Sequence, residues 1–380
     1  MSSPTVSIRL NPFKGLDGPD GTPVPWNRYG RILSERPQFI LDPLMHAGCY
    51  YVQDSSAMFP GYLFRKLLSG RDFGPGVRVL DLCAAPGGKT TDLAASLRES
   101  FGDGFTLVAN EVMKARAAVL LDNVAVWGDP RVTVTSVDPA VIGRTLPGAF
   151  DIILADVPCS GEGMFRKDPR AREEWSEDLV TLCAARQKRI LADAWPALRE
   201  GGVLIYSTCT YEDAENDSNL LWAAETLGGT VVEPEDEFAG AGVVLTRAGS
   251  LLKAGDVAGE GQWAGALVKT APQPRHPHPD FGLLHPLRSG TPAPLQRGRE
   301  TVPHPDAVLS LDFARGSLPE AEVDRDTALK FLHRDSIRLP DAPAGYVVIT
   351  YKGHPLGMVK NLGTRCNNLL PQGRRILKDV

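Results

Sequence analysis

From residue 77 onward the chain alternates short apolar runs with longer stretches of helical periodicity. VRVLDL is followed by a helical pattern over 88–99, FTLVAN by one over 114–127, RVTVTS and FDIILA by one over 178–199, and GVLIYS by one over 213–227. That alternation predicts an α/β domain, a parallel sheet with helices on both faces. Ligands of such open sheets sit at the carboxyl ends of the strands. The residues to read for chemistry are therefore Asp81, Glu111, Asp138, Asp156 and the run Ser207, Thr208, Cys209.

Weaker strand signals at VVEP, GVVLT and GALVKT finish this domain by about residue 270, so that it spans 77–270. Residues 271–299 hold seven prolines, three glycines and three of the seven histidines without periodicity, and read as a linker or extended connection whose histidines are solvated. Beyond it, EVDRDTALKFLH at 322–333 has a helical pattern. YVVITYKGHPLGMVKN reads as a hairpin turning at Lys352 and Gly353. Residues 300–380 thus form a small α+β module. Residues 1–76 are expected to pack on the main domain, with a strand at SIRLNP and a helix over 52–68.

Composition adds bounds. With 380 residues, 43% of them apolar, the chain can bury more than one core. No run approaches the roughly 20 apolar residues of a bilayer span, and MSSPTVSIRLNPFKG lacks the apolar core of a signal peptide, so a cytoplasmic setting is expected, with no membrane partner. Six scattered cysteines without a CxxC pair suggest free thiols rather than a disulfide framework or zinc, and no metal site is expected. A net charge of -5 argues against nucleic-acid binding by bulk electrostatics, although residues 271–380 carry 15 Lys and Arg against 11 Asp and Glu.

In VLDLCAAPGGKTTDLA an apolar strand ends at Asp81, a turn of small residues runs from Cys83 through Ala84, Ala85, Pro86 and Gly87 to Gly88, and a helix begins near Lys89 or Thr90. Backbone NH groups at such a helix start can bind the charged tail of a ligand. The loop is neither GxGxxG nor GxxxxGK[ST], which argues against pyrophosphate. Glu111, ending the second strand, suits a ribose diol, and Asp138, after the third, suits an adenine amino group. Each acid alone could be a helix cap; three at successive strand ends fit adenosine together.

ADVPCSGEGMFRKDP follows the fourth strand and YSTCTYEDAEND the fifth. Strand ends of one sheet converge, so Asp156, Cys159 and Cys209 should be neighbours although 50 residues separate the thiols. Cys83 and Cys183 read as small hydrophobes, and Cys49 and Cys366 have no argued role. Carbon 5 of cytosine is too poor a nucleophile to accept a methyl group directly. A thiolate added at carbon 6 pushes electron density onto carbon 5 and can leave again. An acid paired with ring nitrogen 3 eases that addition, a place Asp156 suits, and a second thiol assists release. Chemistry alone does not order the two thiols.

These segments, with KARAAVLLDNVAVWG, EEWSEDLVTLCAARQKRIL and the upstream VPWNRYGRIL and HAGCYYVQDSSAMFP, resemble the Sun/NSUN-type RNA cytosine-5 methyltransferases over most of 24–238. ALKFLHRDSIRL, GYVVITYKGHPLGMVK and NNLLPQGRR resemble the PUA-like RNA-binding end of that family's bacterial 16S ribosomal RNA branch, the RsmF-like enzymes. The resemblance implies a Rossmann-like class I methyltransferase fold. It implies S-adenosylmethionine bound by Cys83–Lys89, Glu111, Asp138 and Asp156. Cys209 becomes the nucleophile and Cys159 the residue aiding release, with 16S ribosomal RNA or the small ribosomal subunit as partner. One departure is that strand-like sequence begins almost at Met1, where relatives carry an additional helical stretch. Residues 239–321 match only loosely.

Two alternatives compete. An amino-group methyltransferase needs an aromatic residue after the fourth strand, where this chain has Val157, Pro158 and Cys159. A non-catalytic RNA-binding ribosome-assembly factor would keep the fold and pocket without needing Asp156, Cys159 and Cys209. Phe165, Arg166 and Lys167, and in the tail Arg365, Arg374, Arg375 and Lys378, are candidate RNA contacts.

Overall fold

The computed structural model describes residues 5–74, 76–166 and 169–378. Strands β1 (Val6–Leu10), β2 (Thr22–Val24), β3 (Asn27–Leu33) and β4 (Tyr50–Val52) form an antiparallel sheet in the order β2-β3-β1-β4. The short helix α1 (Pro43–His46) leads into β4, and α2 (Phe59–Ser69) follows it. The helix expected over 52–68 begins only at Phe59. Val52 ends a strand, and Asp54 Oδ1 accepts from the Ser56 and Glu260 NH groups, turning the intervening chain against the main domain.

The central sheet holds five parallel strands, β5 (Val77–Asp81), β6 (Phe105–Asn110), β7 (Val132–Thr135), β8 (Phe150–Asp156) and β9 (Leu198–Thr208), side by side as β7-β6-β5-β8-β9. Strand order reverses between β5 and β8, which opens a crevice at their carboxyl ends. Beyond β9 the sheet continues antiparallel through β10 (Gly229–Val231), β11 (Val243–Leu245), β12 (Gly249–Lys253) and β13 (Gly261–Lys269), with β13 against β9. Neighbouring strand residues feed opposite cores. Val77 and Val79 pack with Leu93, Leu97, Leu120 and Phe64 from α2, α3 (Gly88–Phe101) and α4 (Lys114–Trp127). Leu80 packs with Ile142, Leu191 and Leu220 from α5 (Pro139–Thr145), α7 (Glu177–Ala194) and α8 (Asp217–Leu227). A short helix α6 (Pro169–Glu174) precedes α7. The pattern over 178–199 overran, because Pro196 stops α7 and β9 starts at Leu198.

The proline-rich stretch is extended and held to the main domain. Arg275 Nε lies 2.9 Å from Asp151 Oδ1, the His276 NH donates to Gly148 O, Leu284 is buried, and β14 (Arg288–Ser289) pairs antiparallel with the edge strand β7. After the hairpin β15 (Leu295–Arg297) and β16 (Glu300–Val302), a four-stranded sheet is built from β17 (Glu320–Glu322), β18 (Gly345–Tyr351), β19 (His354–Asn361) and β20 (Cys366–Asn368). Helix α9 (Arg325–His333) packs on it, capped by Asp324. Lys352 and Gly353 turn the β18–β19 hairpin with φ of 50° and 78°, as a tight hairpin turn demands. Ile8, Leu10 and Tyr50 of the N-terminal sheet share one core with Phe331, Val347, Ile349 and Val359. The elements from Val6 to Ser69 therefore pack on the C-terminal module as well as on the main domain.

Candidate active site

The loop after β5 is fixed from several directions. Asp81 Oδ2 accepts from Thr90 Oγ1 at 2.6 Å, and the Ala84 NH donates to Asn110 O at the end of β6. Gly87 caps α3 at φ 112°, a conformation that a side chain would strain. Pro86 O accepts from Asn123 Nδ2, and Gly88 O from the guanidinium of Arg9, which is fully buried beneath α3. Lys89 does not stay with its loop: its ammonium reaches Asp156 Oδ2 at 2.8 Å.

Glu111 Oε1 accepts from the Met113 NH at 3.0 Å. Its Oε2 is buried without a hydrogen bond, since Arg116 Nη1 at 3.2 Å approaches outside hydrogen-bonding geometry. Asp81 Oδ1 is likewise buried without a donor, and burial pushes this carboxyl up to about 7. Two unfilled carboxylate oxygens on adjacent strand ends beside a glycine turn fit a ligand bearing hydroxyls and a positive charge, as the cofactor expected from the sequence does. Asp138 is exposed, and its Oδ1 caps α5 by accepting from the Ala140 NH at 2.9 Å, which leaves Oδ2 for a ligand.

Across the crevice, Asp156, Cys159 and Cys209 come together. Asp156 accepts from Lys89 Nζ at 2.8 Å, Ser207 Oγ at 2.7 Å and Gln262 Nε2 at 3.2 Å. Cys159 and Cys209 are half-buried, with Sγ atoms 3.1 Å apart. The hydrogen bond from Cys159 lowers the Cys209 thiol below its ordinary value and Lys89 assists, against burial and the charge of Asp156. Cys159, as the donor, is raised. Of the two thiols, Cys209 is thus the one that ionises first.

The geometry behind the thiols rests on residues that motif reading missed. Glu215, fully buried, accepts from the Ser160 NH with both oxygens and from Gln187 Nε2 at 2.6 Å; Gln187 also donates to Pro158 O. Glu162 Oε2 accepts from Thr210 Oγ1 and the Tyr211 NH, tying the two thiol loops together. The helix read over 213–227 starts only at Asp217, because residues 212–216 form turns that aim Glu215 and Asn216 inward. The acids of YEDAEND were a signal for Glu215. Gln262 gave a fainter one, a polar residue within an apolar strand. Arg9 gave none.

Two candidate RNA contacts are otherwise engaged. Arg166 Nε lies 3.3 Å from Glu260 Oε2, and Arg374 is clamped between Asp122 and Asp306 at 2.7–3.1 Å. Phe165 is half-buried, while Arg365, Arg375 and Lys378 are exposed; Lys167 lies outside the described residues.

Residues 72–225 match the family described as 16S rRNA methyltransferase RsmB/F, and residues 319–376 that described as the methyltransferase RsmF PUA domain. Relatives named ribosomal RNA small subunit methyltransferase F from Salmonella paratyphi C and Pectobacterium atrosepticum are each 31% identical. They cover 99% and 97% of this chain and 89% and 87% of their own. Among solved structures, a methyltransferase homolog protein from Pyrococcus horikoshii is 26% identical with a TM-score of 0.57, covering 70% of this chain and 87% of its own. NSun6 from the same organism, solved with SFG, shares the fold at 24% identity and a TM-score of 0.51, over 64% of this chain and 58% of its own. Among the described residues no helix is long and apolar enough to cross a membrane.

Proposed function

Because the chain belongs to the ribosomal RNA small subunit methyltransferase F family, which uses S-adenosylmethionine, we propose that it methylates carbon 5 of a cytosine in 16S ribosomal RNA through a covalent Cys209 adduct. The observation that carries this reading is the pair of touching thiols beside a carboxylate with three donors.

When bound, the cofactor supplies an electrophilic methyl group. The Asp81 and Glu111 oxygens that lack donors, the α3 amino end and Asp138 Oδ2 are the groups to hold it. The target base must leave its stack to reach the crevice. With three donors already on it, Asp156 acts as an acceptor, so in place of the expected pairing with ring nitrogen 3 it accepts from the adjacent cytosine 4-amino group. The Cys209 Sγ lone pair then forms a bond to C6, and the C5–C6 π pair moves onto C5, which takes the methyl group. Loss of the C5 proton to a base restores the double bond and expels Cys209 as thiolate. Cys159, with its Sγ 3.1 Å from that of Cys209, is placed to donate a hydrogen bond to the leaving thiolate.

The test uses 16S ribosomal RNA from cells lacking this gene. Cys209→Ser abolishes 5-methylcytosine formation and leaves no covalent RNA complex, whereas Cys159→Ala accumulates an RNA-linked species on a denaturing gel. Ordinary turnover by Cys209→Ser removes the nucleophile assignment. An adduct in that variant and none in Cys159→Ala reverses the two roles.

A further inference from the structure

Asp156 does not stand alone at its strand end. It pairs in register with Ser207 on β9, and Trp263 of β13 pairs with Thr208, which brings Gln262 to the strand end beside Cys209. Both Ser207 Oγ and Gln262 Nε2 donate to the same oxygen, Oδ1, while Lys89 takes Oδ2. Gln262 is 2% exposed, so its amide is held by the strand it sits on and loses little freedom in making this contact. With Oδ1 saturated by two fixed donors from adjacent strands, the open lone pair of the carboxylate lies on Oδ2, beside the Lys89 ammonium.

We infer that Gln262 is a positioning residue for base recognition: it fixes the rotation of the Asp156 carboxylate so that Oδ2 meets the cytosine amino group, and so helps reject uracil. This rests on the reading above, in which Asp156 faces the base. Uracil carries a carbonyl oxygen where cytosine carries the amino group. A carboxylate locked in this rotation repels that oxygen, and one free to turn discriminates less. Without Gln262 the carboxylate keeps Ser207 on Oδ1 and the Lys89 ammonium on Oδ2, and the long lysine stem lets the plane turn further than a second strand-borne donor does.

The experiment compares Gln262→Met, which keeps length and removes the donor, with Gln262→Glu, whose carboxyl donates only when protonated. The rate of covalent adduct formation is read in the Cys159→Ala background at saturating S-adenosylmethionine, from pH 5.5 to 8.5. The RNA is 16S ribosomal RNA carrying cytosine or uracil at the site where 5-methylcytosine is mapped. Gln262→Met is expected to slow adduct formation on cytosine about tenfold or more and to narrow the gap between cytosine and uracil. Gln262→Glu regains rate relative to Gln262→Met as pH falls, a profile that general loosening of the fold does not produce. Should Gln262→Met fold poorly, the Gln262→Glu profile decides by itself. Equal rates for Gln262→Met and the parent, or a flat ratio of Gln262→Glu to the parent across pH, overturn the inference. If the parent forms no cytosine adduct at all, the proposed function falls instead.

Discussion

Replacing Asp81 by Asn should make the cofactor-free protein more stable at alkaline pH while weakening its hold on the cofactor. Asp81 is fully buried, and burial moves its carboxyl from 3.8 to about 7, opposed by the Thr90 hydrogen bond and reinforced by Asp156. Between those values the folded chain keeps a proton that the unfolded chain has lost. Stability contributed by this group is therefore present at low pH and is lost as pH rises through about 7. At about 1.4 kcal/mol per pKa unit, the loss totals about 4 kcal/mol, of which about 3 kcal/mol falls between pH 5 and pH 8. Asn still accepts from Thr90 Oγ1, and its amide nitrogen occupies the place of the oxygen that has no donor, at a pH-independent cost of about 1–3 kcal/mol. Urea unfolding of cofactor-free parent and variant at pH 5 and pH 8 measures this directly, because other titrating groups cancel in the difference. The variant should gain about 3 kcal/mol on the parent between the two pH values. Calorimetric titration of S-adenosylmethionine should show at least about tenfold weaker binding by the variant, since a charge that faced the cofactor is gone. An identical gap between the unfolding curves at both pH values refutes the argument that Asp81 is a carboxylate kept at the expense of stability.

Three further outcomes follow from the same geometry. Adduct formation should have its acid limb below the ordinary thiol value of 9.0, and Cys159→Ala should move that limb upward, because the hydrogen bond that favours the Cys209 thiolate is removed; an unmoved limb means the thiols do not share a proton. Glu111→Gln should weaken S-adenosylmethionine binding about tenfold while leaving RNA affinity unchanged in a filter assay, since its buried Oε2 faces the cofactor side of the crevice. Arg374→Ala should expose residues 292–318 to limited proteolysis, the Asp306 and Asp122 clamp being lost, and should leave the salt slope of RNA binding unaltered; a slope reduced by about 1 makes Arg374 a phosphate contact after all.

Strand ends were legible in the sequence because the parallel strands are mainly apolar runs whose carboxyl ends turn polar. Asp81, Asp156 and Ser207–Thr208 stand where such runs break off. What periodicity cannot carry is the identity of a partner distant in sequence. Gln262 lies 106 residues from Asp156, and Arg9 lies 79 from Gly88; each is one polar residue in a strand whose neighbour only tertiary pairing decides. Helix limits failed for a related reason. Residues 212–216 include the good helix formers Glu212, Ala214 and Glu215, yet turns there carry the Glu215 carboxylate to the Ser160 NH and Gln187, contacts that local propensity does not encode. That Arg374 is paired with Asp122 and Asp306 was not legible either, because a cluster of basic residues says nothing of the acids that fold beneath it.

The N-terminal sheet has a consequence that neither end of the chain suggests alone. β1 and β4 send Arg9 and Tyr51 to the carbonyls of Gly88 and Pro86 in the loop after β5, and the same two strands contribute Ile8, Leu10 and Tyr50 to the core of the C-terminal module. Arg9 also lies over the Trp127 ring at 4.7 Å, so α4 is part of the same packing. Close-packed cores transmit displacement rather than absorb it. The C-terminal module and the cofactor loop are therefore joined through the N-terminal sheet, without crossing the proline-rich connection. Deleting that module leaves Ile8, Leu10 and Tyr50 facing water, so a truncated protein loses stability in the very strands that brace the cofactor loop.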